Sequence, residues 1–207
     1  MKVVMNDRWA MEALHALQHR NPARLKAVFR ENPDARINTV VLKRPGGAPF
    51  DFAGEGFFDG RAAAWAPTSF DVVKHGDTLV ILALRQNDPA CASVLVEAGA
   101  NLQLTNVDYE SGISLAWGAY LSLTAAKTKA SSALTPHKAA YDALFTHIYP
   151  QLQEYHNQIK ANVRAELVTL YTTHAPDRLD KIDSQITAFY GNEADLVAKV
   201  RAKYSSD

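Results

Sequence analysis

The chain holds one cysteine, Cys91, among 207 residues, so no internal disulfide is available and nothing calls for an oxidising compartment. It also lacks a surplus of charge: 22 Lys plus Arg balance 22 Asp plus Glu. That balance removes the concentrated positive footprint of a nucleic-acid binder, and no nucleic-acid partner is expected. No segment approaches the roughly 20 consecutive apolar residues of a membrane-spanning helix, so no membrane partner is expected either. Met1 to Asp7 lacks the apolar stretch of a secretory leader. These absences lead to the expectation of a soluble, cytoplasmic protein. Catalytic signatures are missing as well. There is no Gly-x-Ser-x-Gly elbow, and Gly54, Gly56 and Gly60 are not followed by the Gly-Lys-Ser/Thr of a phosphate cradle. No enzyme activity, no cofactor and no metal are expected.

What the chain has is a succession of short amphipathic segments set off by helix punctuation. Asn6 or Asp7 can cap a helix carrying Trp9, Met11, Leu14 and Leu17. Asn21-Pro22 restarts the chain as cap and first helical residue, and Leu25, Val28 and Phe29 share one face until Asn32-Pro33-Asp34 ends it. This pattern predicts a helical hairpin. The runs Gly76 to Leu84 and Val94 to Leu102 predict a second, with Asn87-Asp88-Pro89 as the turn and Gly99 as a left-handed C-cap. Between the two, Thr39 to Leu42 and Phe50 to Phe52 flank Pro45-Gly46-Gly47 and predict a small β-hairpin. A short helix from Arg61 to Ala66, stopped by Pro67, would follow it.

Beyond Asp108 the composition predicts a helix from Gly112 into Lys127–Lys129 and a break over Ser131 to Pro136. A further helix then carries Tyr141, Leu144, Phe145 and Ile148, with Pro150 kinking or dividing it. Leu152, Tyr155, Ile159, Val163, Leu167 and Leu170 continue at helical spacing. Pro176 opens a helix with Leu179, Ile182, Ile186 and Phe189 on one face, closed by Gly191. Asn192 and Asp195 cap the last helix, whose apolar side is Leu196, Val197, Val200 and Tyr204. Such short helices are unstable singly and must pack on neighbours.

Few polar groups stand out. His15 and His19 lie one turn apart, a spacing that can hold a metal, but no third ligand has a recognisable spacing to them. Asp177, Asp180 and Asp183 alternate with Arg178 and Lys181, the pattern of a solvated, salt-bridged face. Cys91 sits among Ala90, Ala92 and Val94 and reads as a small packed hydrophobe. Trp9, Trp65 and Trp117 read as core.

Gly76 to Asn106 resembles an ankyrin repeat. Gly76 and Thr78 match the repeat's opening, Ala83 its small first-helix residue, and Val94, Leu95, Ala98, Gly99, Ala100 and Asn101 its second half. Leu79, Ile81 and Asn87 stand where the family has proline, histidine and a turn glycine. Leu14 to Asn38 resembles a weaker copy, with His15 in the place of the histidine that bonds backbone within a repeat. Gly112-Ile113-Ser114-Leu115-Ala116 looks like the start of a degenerate further one. Roughly the last 40 residues, judged by their helix signals, resemble a helical hairpin that ends many flagellate-protist proteins. Leu170-Tyr171, Ala175-Pro176, Tyr190-Gly191-Asn192-Glu193 and Lys203-Tyr204 carry that likeness.

The ankyrin resemblance implies a mainly α fold: a helical-hairpin array over residues 1–134 with a small β-hairpin insertion, then C-terminal helices over 135–207. It further implies non-catalytic protein binding or scaffolding on a face formed by finger loops and first helices. The positions so implied are Asn38, Lys74, His75 and Asp77, then Arg85, Gln86, Thr105, Asn106 and Asp108. The partner expected is a protein, with self-association open. Two other readings remain at this point: an enzyme with a site between array and C-terminal helices, or a structural subunit docking through those helices.

Overall fold

The computed structural model describes residues 8–35, 37–38, 76–124 and 137–204. These are mainly helical, and an isolated β-bridge joins Thr105 and Ser111. The expected β-hairpin at Thr39 to Phe52, the expected helix at Arg61 to Ala66, and the break at Ser131 to Pro136 lie outside the described residues. Contacts divide the chain into residues 1–148 and 149–207.

The first unit holds α1 (Arg8–Gln18), α2 (Pro22–Glu31), α3 (Leu79–Arg85), α4 (Pro89–Glu97) and α5 (Gly112–Thr124). Local chemistry sets their ends. The Asn21 side chain accepts the Arg24 N–H with Pro22 at the first turn, and Asp88 accepts the Cys91 N–H with Pro89 likewise. Thr78 caps α3 through the Ile81 N–H.

The C-terminal turns of α1, α3 and α4 share one design. After α1, the Arg20 N–H reaches Leu17 O and the Asn21 N–H reaches Ala16 O. After α3 the Asn87 and Asp88 N–H groups reach Leu84 O and Ala83 O, and after α4 Gly99 and Ala100 reach Val96 O and Leu95 O. These are Schellman motifs, closed by a left-handed residue: Arg20 at φ 48°, Asn87 at φ 55° and Gly99 at φ 93°. A bulky Arg20 in that region is held from outside, because its Nη2 donates to Gln86 O at 3.0 Å across the two turns.

Packing follows. The first hairpin is α1 on α2 and the second is α3 on α4; α2 lies beside α4, and α3 lies between α1 and α5. That middle place explains why every residue from Leu79 to Leu84 is buried and why the helix is apolar all round. Leu82 and Leu95 are 1% and 0% exposed, one in each helix of the same hairpin.

The helix α6 (Lys138–His174) starts in the first unit and ends in the second. Pro150 lies inside it without dividing it. Within the first unit its Tyr141, Leu144, Phe145 and Ile148 are buried; the Phe145 ring meets Tyr120 of α5 edge-on at 5.4 Å. Burial, with the nearby Asp88 carboxylate, pushes the Tyr141 hydroxyl up to about 12.

In the second unit the chain after α6 forms a 3-10 segment (Pro176–Lys181), α7 (Ile182–Ala188) and α8 (Glu193–Tyr204). Pro176 therefore opens a 3-10 turn instead of an α-helix, and Leu179 stays 38% exposed, away from the apolar face expected of it. The core joins Val163, Leu167 and Tyr171 of α6 to Ile182 and Ile186 of α7 and to Leu196, Val197 and Val200 of α8. Three hydrogen bonds settle its polar edge. The Tyr171 hydroxyl donates to Gln185 at 2.8 Å, and buried Glu193 accepts from the Gly191 N–H (3.0 Å) while His156 Nε2 lies 2.9 Å from the same oxygen.

Candidate interaction site

The segment Thr105 to Ser111 leaves the second hairpin and enters α5. Its two ends are tied by the Thr105–Ser111 bridge, and the Asn106 N–H donates to Glu110 O at 3.0 Å. Inside, Asn106 acts as the spool. Its Oδ1 accepts the Asp108 N–H at 2.9 Å and the Glu110 N–H at 3.0 Å. Its Nδ2 donates to Asp77 Oδ1 at 2.8 Å and to Glu110 Oε2 at 3.0 Å. With both ends of its amide used, this buried side chain is satisfied and the loop around it is set.

Beneath Asn106 lies a charged base. Arg85 donates through Nη1 and Nη2 to the two oxygens of Asp77, at 2.5 and 2.9 Å, and through Nη2 to Glu110 at 2.8 Å. Asp77 is 0% exposed. Burial by itself opposes the guanidinium charge, but hydrogen bonds from Asp77 and the charges of Asp77 and Glu110 outweigh it, so the Arg85 pKa is raised. Gly76 brings the chain close enough to build this base: its φ is 83°, and a Cβ there would stand 3.2 Å from Asn106 Cα.

The loop's outer side is of opposite character. Tyr109 is 87% exposed and Val107 56% exposed. Tyr109 sits in the left-handed region at φ 61°, held there because its N–H donates to Asn106 O at 3.1 Å. A large aromatic side chain is thus displayed on a backbone that hydrogen bonds fix from within.

The positions implied by the resemblance divide accordingly. Asp77, Arg85 and Asn106 come together, but as the internal base of the loop; they are inward-facing and present little surface to a partner. Thr105 and Asp108 are exposed on the same loop, and Gln86 is half-buried with its carbonyl taken by Arg20. Asn38 is exposed but works locally, its Oδ1 accepting the Asn101 N–H at 2.6 Å. Lys74 and His75 lie outside the described residues. Val107, Tyr109 and Glu110 were not singled out by the pattern. A lone apolar pair within a polar run, Val107 and Tyr109 among Asn106, Asp108 and Glu110, was the signal available for them.

Elsewhere in this unit the chemistry is quieter. An open cleft between α2 and α4 includes Lys26, Phe29, Arg30, Val94 and Glu97 in its lining. Lys26 reaches Glu97 across it at 3.5 Å, and Arg30 stands in the last turn of α2, where a cation complements the negative helix end. Cys91 is buried; burial and a hydrogen bond with Asp88 push its thiol well up, so it stays protonated and inert. Among the described residues no three His, Cys, Asp or Glu side chains converge as a metal site. No helix among them is long and apolar enough to cross a membrane.

The rings of His15 on α1 and His19 in the turn after it lie 4.3 Å apart at 59°. Burial, then the charges of His19 and Arg24, lower the His15 pKa. A histidine that binds its proton less tightly when folded leaves stability intact above the unfolded value. Stability is then lost as pH falls through about 6.5. An NMR titration should place the His15 midpoint below that of an ordinary histidine, and His19→Gln should move it upward. An ordinary midpoint, unmoved by that change, would contradict the assigned causes.

No family model matches the chain, no curated protein matches it, and no solved structure matches it.

Proposed function

We propose that this protein is a non-catalytic binding platform, an ankyrin-like stack of helical hairpins whose partner is a protein and whose contact point is the Thr105 to Ser111 loop. The observation that carries the reading is the contrast across that loop. Tyr109 is 87% exposed on one side while Asn106 is 5% exposed on the other. Tyrosines dominate binding hot spots because they bring large contact area at small entropic cost, and a pre-set backbone lowers that cost further. The repeat pattern adds support. Thr78 and Ser111 each cap the helix that follows, through the Ile81 and Ser114 N–H groups, and stand one ankyrin period, about 33 residues, apart.

In this reading Thr105, Val107, Asp108 and Tyr109 meet the partner, and Asp77, Arg85, Asn106 and Glu110 position them. Affinity capture from extracts of the source cell, comparing wild type with Tyr109→Ala and with the remote variant Lys26→Ala, tests it. At least one protein held by wild type and by Lys26→Ala should be lost, tenfold or more, with Tyr109→Ala. Identical captures with all three proteins would overturn the assignment.

A further inference from the structure

We draw no further inference here: the strongest candidate, the open cleft between α2 and α4 lined in part by Lys26, Phe29, Arg30, Val94 and Glu97, carries nothing, because Lys26 already pairs with Glu97 across it and nothing in the structure shows what covers it.

Discussion

Replacing Arg85 by alanine should lower the unfolding free energy by about 3 kcal/mol, the scale seen when one partner of a buried ion pair is removed. The reason is the position of Asp77, which is fully buried and takes both of its guanidinium hydrogen bonds from Arg85. Without Arg85 the carboxylate keeps its bond to Asn106 Nδ2 but loses a guanidinium charge that helps to offset its desolvation. Glu110 loses the same donor. Arg85→Lys should recover only part of the loss, because an ammonium cannot span both oxygens of Asp77 in a fork. Asn106→Ala should cost about 1–3 kcal/mol by leaving buried groups unpaired. Its local mark is faster amide exchange at Asp108 and Glu110, whose N–H groups bond its side chain. Urea denaturation gives the first quantities directly. A change below about 0.5 kcal/mol for Arg85→Ala, as for an exposed ion pair, would show that the base does not hold the loop.

The second large effect concerns the stack. Leu82→Ala and Leu95→Ala should each cost about 2–5 kcal/mol, since both remove a side chain from a fully buried position and leave a cavity. Because α3 and α4 pack on each other, the double variant should cost less than the sum of the singles, by at least about 0.5 kcal/mol. Strict additivity would place the two leucines in separate packing environments. It would also remove the layered hairpin as the organising element of this unit.

The legible part of this fold is the part written in short-range chemistry. Asn21-Pro22 and Asp88-Pro89 name two helix starts, and the structure places caps on both. The apolar run Leu79 to Leu84 announces a helix, and the structure buries it on every side. Less legible is the behaviour of proline. Of the two outcomes expected at Pro150, a kink or a division, the structure removes the division: α6 continues through it. Pro150 and Thr146 both lie on the exposed side, where the carbonyl deprived of its partner can be solvated. Pro176 does the reverse, opening a 3-10 turn where an α-helix was expected.

The candidate site was visible only as a region. Nine positions were named from the ankyrin resemblance, and three of them, Asp77, Arg85 and Asn106, prove to be bonded to one another and inward-facing. Sequence position cannot separate a polar residue that meets solvent from one that supports a loop, because both are polar and both sit at element ends. Glu110 shows the same limit. Its bond to Arg85 joins residues 25 apart, so no local pattern predicts it.

Caps, turns and apolar stripes act over three or four residues, and for that reason composition and spacing alone established a mainly α chain built from hairpins. Which of its polar residues are held inside, and which aromatic is displayed, was decided by contacts such as Asp77 with Asn106, 29 residues apart. Burial belongs to the assembled chain: a carboxylate loses its water only when distant segments close over it, and no single segment carries that information.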